Sequence, residues 1–269
     1  MFNFAKTHLL TFYFCSLAFL LTSCGGKDEL ASNSPVGTTT QKKGEDIVAK
    51  YLAEDAAPYR KTRVRFTITS ADEPEKIFEL DIWRRQRDGD TATYSQIVKP
   101  AEDAGLGSLT FEAKDKETVS VTYSASRVEF RESDTGKMFF GGLTAQELLG
   151  EWGKYDYFFL SEKEVGGAKA VEVEGRLKKN LKSVIAKMDI IFREDNHLPA
   201  EMRLYDSSGK ELRVYRNAVY KNDGKSNYVS RLEVDNPVYK TQVVIEILGR
   251  EYPATIEDAM FEREILKKK

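Results

Sequence analysis

The residues with the most specific chemical pattern in this chain are Leu21, Thr22, Ser23 and Cys24. Two small residues followed by cysteine, directly after an apolar run, form the pattern that a bacterial lipoprotein signal peptidase cleaves. Cysteine is required because its thiolate is nucleophilic enough at neutral pH to take up a diacylglyceryl group as a thioether. We therefore predict signal cleavage between Ser23 and Cys24 and lipidation of Cys24.

The segment before this pattern has the layout of a signal peptide. Lys6 precedes an apolar run, Leu9–Leu21, of about thirteen residues, shorter than the roughly 20 that a membrane-spanning helix needs. Residues 1–23 are therefore predicted to be removed. Acyl chains on Cys24 then anchor the protein, since each buried methylene contributes ~0.8 kcal/mol. An aspartate at position 25 would favour retention in the inner membrane. The residue there is Gly25, which favours the outer membrane, with the protein facing the periplasm. The alternative is an ordinary secretory signal in which Cys24 is incidental.

Composition narrows the functional classes further. The other cysteine, Cys15, lies in the predicted signal peptide, so beyond Cys24 the mature chain has no thiol for a disulfide or a metal site. The chain has 41 Lys and Arg against 43 Asp and Glu, with the two signs mixed along it. This balance gives no signature of a nucleic-acid partner. Because the mature domain has no thiol for a disulfide or a metal site, its fold must be stabilised by its core alone.

The mature chain divides into a tether and one domain. Residues 24–43 have no apolar period and are rich in Gly, Ser, Thr and Asn, which predicts a lipidated flexible tether with a reach of ~25 Å. Over residues 44–57 apolar side chains fall four apart on one stripe, and Pro58 ends the run. This predicts a helix over 44–57 at the start of a single domain, residues 44–269.

Strict alternation of apolar and polar residues dominates this domain. In one run Val64, Phe66 and Ile68 alternate with polar residues, so that one face of the strand is apolar and the other is wetted. Similar runs, separated by turn residues, continue to about Leu248. Together they predict a mainly β fold of about eleven antiparallel strands.

Two capping patterns interrupt the strands. Thr144 and Glu147 form a capping box that predicts a short helix over 144–149, and Thr255 with Asp258 starts a second turn near the end of the chain. With the helix at 44–57, these give two or three short helices that are available to cover the sheet.

A sheet of this size has to curl, because strand twist accumulates. If it closes only partly, its apolar face must be filled by its own side chains, by the short helices or by an acyl chain. The residues predicted to face inward are Val64, Phe66, Ile68, Leu80, Ile82, Leu109, Phe111, Val121 and Phe130. The alternative is that each of them only packs in an ordinary core.

Several stretches carry, in their shared order, a resemblance to a known family. They are Asp103–Leu109, Thr122–Val128, Met138–Leu149, Tyr155–Leu160, Ile191–Pro199 and Leu204–Lys210. Over about Ile47 to Leu266 the chain resembles the outer-membrane lipoprotein-sorting proteins of the LolA/LolB-like superfamily, in particular an uncharacterised branch associated with envelope transporters. The resemblance implies a half-open antiparallel barrel, with helices over an apolar interior that accommodates lipid or the acyl chains of a lipoprotein.

This resemblance sets the functional expectation. It implies a lipid-anchored envelope protein that binds acyl chains through the nine inward-facing residues and takes part in lipoprotein sorting or lipid transport to the outer membrane. An envelope transporter is a candidate partner. The alternative is a sensor or assembly partner that has the same fold with a filled interior and transports nothing.

Catalytic interpretations have little support in the sequence. The mature chain has one histidine, His197, in a loop before Leu198 and Pro199, and no free thiol, so we expect no Ser-His-Asp triad, no Cys-His pair and no multi-histidine metal site. Glu79 and Asp81 lie on the polar face of a strand, where solvation explains them; a glycosidase-type carboxylate pair is the catalytic alternative. Trp83 and Trp152 have the chemistry to stack on sugars, but barrel filling explains them too. We predict no enzyme, no cofactor and no metal.

Overall fold

The structure is a computed structural model, and it describes six stretches of the chain: residues 35–54, 57–113, 118–124, 129–133, 140–143 and 151–268. Thirteen strands form one antiparallel sheet, and helix α1 spans Pro35–Ala53. The strands are β1 (Tyr59–Ser70), β2 (Lys76–Arg87), β3 (Asp90–Lys99), β4 (Gly107–Glu112), β5 (Val119–Ser124), β6 (Glu129–Ser133), β7 (Tyr155–Val165), β8 (Ala168–Leu177), β9 (Lys187–Arg193), β10 (Pro199–Tyr205), β11 (Glu211–Asn222), β12 (Asn227–Asn236) and β13 (Thr241–Glu251). Short 3-10 helices cover Phe140–Gly142, Trp152–Lys154, Asp258–Phe261 and Arg263–Lys267.

The sheet is a meander whose first and last strands meet at its centre. The strand order is β6-β5-β4-β3-β2-β1-β13-β12-β11-β10-β9-β8-β7, so β6 and β7, consecutive in the chain, lie at opposite edges. In the described part of the chain no hydrogen-bonded ladder joins these two edges. The predicted open, antiparallel, mainly β architecture is therefore confirmed.

The predicted number of about eleven strands is wrong. The structure has thirteen strands, and some of them are short. Strand β4 has six residues and pairs on both sides, and β6 has five residues at the edge of the sheet. A short segment of this kind is stable when a neighbouring strand supplies its hydrogen-bond partners.

The predicted bounds of the first helix, 44–57, are also wrong, because α1 ends at Ala53 and starts well before Gly44. Helix α1 begins at Pro35, so residues 35–43 of the predicted tether are helical. Proline suits the first helical position, because it has no N–H to leave unpaired and its φ is already helical. Gly44 instead allows close packing: a Cβ there would lie 2.6 Å from the carbonyl oxygen of Tyr157 on β7.

The two capping patterns have different outcomes. A short turn does form near Thr255 and Asp258, over Asp258–Phe261, but its N-cap is Glu257 and no side chain caps it; a second turn, Arg263–Lys267, follows. The helix predicted over 144–149 lies outside the described residues. Leu143, just before it, is fully buried.

The buried apolar residues form two separate cores, one on each face of the sheet. We call the face that carries α1 the inner face. Its core joins β1, β2 and β7–β13 with α1, and includes Phe66, Ile190 and Phe192. The second core lies on the outer face of β2–β5, where the C-terminal turns cover it through Phe261 and Leu266.

Candidate functional site

Five of the nine predicted inward residues do lie together on the inner face. Val64, Phe66 and Ile68 of β1 are buried, as is Leu80 of β2, and the half-buried Ile82 packs against the same core. Val64 is directly opposite Leu80 in the ladder, and directly opposed residues share a face. These five residues therefore form one side of a continuous apolar surface.

Three of the remaining four residues were assigned to the wrong face. Trp83 of β2 is opposite Tyr94, Tyr94 is opposite Leu109, and Leu109 is opposite Val121. Successive residues of a strand point to opposite faces of the sheet. Because Ile82 lies on the inner face, Trp83 and the whole row opposite it lie on the outer face.

Phe111 belongs to the outer row as well, because it lies two residues after Leu109 in β4 and such residues share a face of the sheet. Alternation fixes that the apolar residues of a strand share one face, but not which face. Phe130 lies in β6 opposite Tyr123, and its side chain is outside the described part.

The inner apolar surface is filled by protein in this structure. Val173, Ile190, Val234 and Val243 have no exposed surface. Among the aromatic residues, the ring centroid of Tyr51 on α1 lies 4.9 Å from that of Trp152 and 5.6 Å from that of Phe192. An acyl chain that bound here would have to displace part of this cover.

Helix α1 is the larger cover, and the polar contacts described at Lys43 and at Glu54, the residue after its last turn, are partly exposed. A carboxylate oxygen of Glu54 lies 3.1 Å from Nδ1 of His197, and the Nδ2 group of Asn227 donates to the other oxygen at 3.3 Å. At the opposite end, the ammonium group of Lys43 lies 3.4 Å from the ring centroid of Phe159. Exposed contacts of this kind contribute little, typically below ~1 kcal/mol each.

A second cover, the segment Gly141–Leu143, is held by a buried polar network. Asn236 donates from Nδ2 to the carbonyl of Gly141 at 3.0 Å, and accepts at Oδ1 a hydrogen bond of 3.0 Å from the guanidinium group of Arg213. Arg213 also donates to the carbonyl of Gly142. Both glycines have positive φ, 64° and 82°, which glycine adopts without strain. The network was not predicted from the sequence, although the adjacent glycines were a signal for it.

The inner face changes character toward β3, β4 and β5. By register, Arg60 of β1 is opposite Arg84 of β2, Arg84 is opposite Thr93, and Thr93 is opposite Thr110. The hydroxyl of Thr110 lies 2.9 Å from that of Ser120 in a buried pair. The same face therefore continues from an apolar surface into a surface of hydroxyl and guanidinium groups, which the sequence analysis did not predict.

The charged side chains at this transition are electrostatically strained. Burial, with repulsion from Arg84 and Arg250, lowers the pKa of Arg60 to about 9. Burial raises the pKa of Glu112 to about 7, although Arg84 attracts the ionised form. Burial also raises the pKa of Tyr51, which faces both guanidinium groups. Burial removes water that would stabilise these charges, so the charged forms are less favourable here than in solvent.

Two open surface pockets lie elsewhere. One, of about 560 Å³, is an open site near the β12–β13 turn, lined by residues such as Arg203, Asp235 and Lys240. The other lies against α1, at residues such as Lys42 and Asp46. None of the nine predicted inward residues lines either pocket.

The residues considered for catalysis have structural partners. Asp81 forms two hydrogen bonds of 2.7 Å with Arg63, and Glu79 accepts one of 2.8 Å from Arg65. Trp83 stacks on Tyr94 in the outer core, with ring centroids 5.2 Å apart. Within the described ranges, no three His, Cys, Asp or Glu side chains are grouped as a metal site would need. No helix in the part of the chain that was described is long and apolar enough to cross a membrane.

Comparison with known proteins decides the family. A family model described as "Uncharacterized protein" matches residues 89–268, about two thirds of the chain. The chain belongs to this family. No curated protein matches the sequence.

Solved structures show the fold of this family member. A DUF1329 family protein from Desulfovibrio piger superposes with a TM-score of 0.78 at 17% identity, covering 84% of this chain and 99% of that one. A putative outer membrane lipoprotein-sorting protein domain from Vibrio parahaemolyticus gives 0.76 at 16% identity, covering 85% and 100%. A LolA superfamily protein from Nitrosomonas europaea gives 0.69 at 13%, covering 82% and 98%. The family member therefore has the LolA-like fold, and the resemblance found in the sequence is confirmed.

Proposed function

We propose that this protein is a lipid-anchored protein of the bacterial envelope that binds acyl chains of lipids or lipoproteins on the inner face of its open sheet. In this role it takes part in lipoprotein sorting or lipid transport to the outer membrane, and it catalyses no reaction. The observation that carries the proposal is the apolar inner face of an unclosed sheet, whose larger cover is one helix with partly exposed polar contacts near its ends.

The mechanism is a displacement. Helix α1 covers the inner face with Val48 and Tyr51, and its polar contacts at Glu54 and Lys43 are weak. An acyl chain that replaces α1 exchanges one apolar contact for another, so the net free-energy change of the exchange is small. Cargo then moves toward whichever partner buries its chains better.

Position in the envelope follows from the predicted acylation of Cys24. The two or three acyl chains hold the domain at the membrane to which cargo is delivered or from which it is taken. The outer membrane, with the domain facing the periplasm, is the proposed location, and an envelope transporter is the proposed partner.

Gly44→Ala tests the displacement mechanism. The added Cβ would meet the backbone of β7 at 2.6 Å, so it weakens the seating of α1 without touching the apolar surface. The full chain carrying Cys24→Ser, which cannot be acylated, is purified and titrated with a fluorescent fatty acid. We expect Gly44→Ala to raise the fraction bound by about threefold, as a shift toward the open state.

The matched control is Gly249→Ala, where an added Cβ meets nothing within 4 Å. It should leave fatty-acid uptake unchanged. Failure of both the parent chain and Gly44→Ala to take up any fatty acid would overturn the proposed acyl binding.

A second function, that of a sensor or assembly partner with a filled interior, is favoured by one observation: the inner face is packed by its own side chains and by α1. The same titration separates the two. A sensor with a permanently filled interior takes up no fatty acid and carries no co-purified lipid in native mass spectrometry, even when α1 is loosened.

A further inference from the structure

The single histidine of the predicted mature chain contacts the end of the cover helix. The chain has two histidines, and His8 lies in the predicted signal peptide, so His197 is the one that remains. Its Nδ1 lies 3.1 Å from a carboxylate oxygen of Glu54, the residue that follows α1. Imidazole is the side chain whose ordinary charge change falls between pH 5 and 8. One of the polar contacts that hold α1 therefore includes a group of this kind.

The turn that carries His197 is held by hydrogen bonds of its own. Between β9 and β10, the N–H of Arg193 donates to the carbonyl of Leu198 at 2.9 Å. Asn196 accepts at Oδ1 the N–H of Leu198, also at 2.9 Å. His197 has a φ of 58°, in the left-handed region that histidine adopts more readily than most residues. Because these bonds lie within the turn, the position of the imidazole does not depend on α1.

The carboxylate of Glu54 joins α1 to a third element, the β11–β12 hairpin. Its second oxygen accepts from the N–H of Asn227 at 3.4 Å and from Nδ2 of the same residue at 3.3 Å. Asn227 is held in turn by Asn222, whose Nδ2 donates to its Oδ1 at 2.9 Å. The side chain of Glu54 is 21% exposed and that of His197 is 42% exposed. A change of charge on the imidazole therefore acts on the carboxylate through which α1 meets both turns.

Other charged groups near this contact have been considered in the described part of the chain. They are Lys50 of α1, Arg193, Glu194 and Asp195 of the β9–β10 turn, and Asp223 and Lys225 of the hairpin. Asp195 accepts a hydrogen bond of 2.9 Å from Arg193, which lowers the pKa of Asp195. Asp223 accepts one of 2.7 Å from the hydroxyl of Tyr252. Among these elements, Glu54 is the carboxylate that the structure places against His197.

Protonation of His197 strengthens the contact with Glu54. A neutral imidazole offers the carboxylate one hydrogen bond, whereas an imidazolium adds the attraction between opposite charges. The state in which α1 is seated therefore holds this proton more tightly than the state in which α1 is displaced. It follows that the seated state gains stability as the pH falls, and that displacement becomes easier as the pH rises.

We propose that His197 and Glu54 form a pH-sensitive attachment of α1, which keeps the inner face covered at acid pH and releases it more readily as the pH rises. This inference rests on the proposed acyl binding and concerns the regulation of that same site. One partly exposed ion pair shifts an equilibrium by only about two- to fivefold. The attachment therefore tunes the uptake of cargo and does not abolish it.

Uptake of an uncharged probe at two pH values tests the inference. The probe is a fluorescent long-chain alcohol, because the carboxyl group of a fatty acid would itself titrate. Glu112 also titrates in this range, with a pKa of about 7, so the reference chain carries Glu112→Gln together with Cys24→Ser. We expect this chain to take up about threefold more probe at pH 8 than at pH 5.5, the effect of one partly exposed ion pair.

Two further substitutions remove the pH dependence from opposite sides of the contact. His197→Asn removes the imidazole and supplies a residue that tolerates a φ of 58°. Glu54→Gln keeps a hydrogen-bonding side chain and removes its charge. Each should take up the same amount of probe at pH 5.5 as at pH 8. The matched control is Glu164→Gln at an exposed position of β7, which should keep the threefold difference. Thermal unfolding at both pH values checks that each variant folds.

The outcomes separate this inference from the proposed function. Equal uptake at both pH values in the reference chain overturns the pH-sensitive attachment and leaves acyl binding standing. A difference that persists in both His197→Asn and Glu54→Gln also overturns it, as does greater uptake at pH 5.5 than at pH 8. No uptake at either pH, even when Gly44→Ala is added, overturns the proposed function as well. A difference that is lost in these two variants and kept in the control supports the attachment.

Discussion

The two faces of the sheet are both covered, but their covers are held in different ways. On the outer face the C-terminal turns bury Phe261 and Leu266 in a compact core, and Arg85 lies over the ring of Phe261 at 4.7 Å. On the inner face, α1 lies over a larger apolar surface with partly exposed polar attachments such as that of Glu54 with His197. In the proposed displacement mechanism, α1 is the removable cover and the C-terminal turns are the fixed one.

The largest expected effect is on the fixed cover. Phe261→Ala removes a buried ring from the outer core and should lower the free energy of unfolding by about 3–5 kcal/mol, the usual cost of a large-to-small core substitution. Urea unfolding followed by tryptophan fluorescence measures it. Phe158→Ala on β7, where the ring is half-buried beside Arg176, is the control and should cost clearly less. A loss below about 1 kcal/mol for Phe261→Ala would contradict the idea of a fixed outer cover.

An intermediate effect is expected at Glu112 on the inner face. Its folded pKa of about 7 lies above its ordinary value of 4.5, so the folded state holds the proton more tightly than the unfolded state. The contribution to stability is therefore full below about pH 4.5 and is lost as pH rises through 7. Glu112→Gln should remove this dependence and stabilise the protein at pH 8 by ~1–2 kcal/mol, a value reduced for partial exposure.

Melting temperatures of the parent and Glu112→Gln chains at pH 5 and pH 8 measure that effect. The gap between the two pH values should be smaller in the variant. If Glu112→Gln instead lowers the melting temperature at pH 8, attraction between Glu112 and Arg84 outweighs the burial of the carboxylate, and the inner face is less strained than inferred.

The smallest effect on stability is expected for Glu54→Gln. This variant is also the sharpest test of whether α1 is removable. It weakens the contacts of α1 with His197 and Asn227 and should change the free energy of unfolding by less than ~1 kcal/mol. Fatty-acid uptake should nevertheless rise. Glu164→Gln on β7, an exposed position, serves as the control for the lost charge. An uptake that is identical in both variants would mean that the polar contacts of Glu54 do not hold α1.

The sequence predicted the local structure better than the global arrangement. The alternation of Val64, Phe66 and Ile68 correctly predicted a strand with one apolar face, and the turn beginning near Asp258 was also correct. The start of α1 was wrong, because Gly44 serves a contact with Tyr157, a residue more than a hundred positions away. Such a contact has no local signature.

The candidate site was predicted in part. Residues of β1 and β2 were correctly placed on one surface, while Leu109, Phe111 and Val121 belong to the other core. Both groups have the same alternating pattern. Nothing local to β4 or β5 tells whether α1 or the C-terminal turns will cover it.

By itself, the sequence determined the approximate positions of the strands, that strands such as β1 have one apolar face, that a cysteine follows a signal-like segment, and to which family the chain bears a resemblance. These properties depend on the order and spacing of neighbouring residues. Only the tertiary structure decided that Arg60 and Arg84 face each other, that Asn236 and Arg213 hold Gly141 and Gly142, and that the apolar residues divide between two faces. The physical reason is that ladder register and the choice of cover are set by residues far apart in the chain, through burial and hydrogen bonding that no short segment specifies.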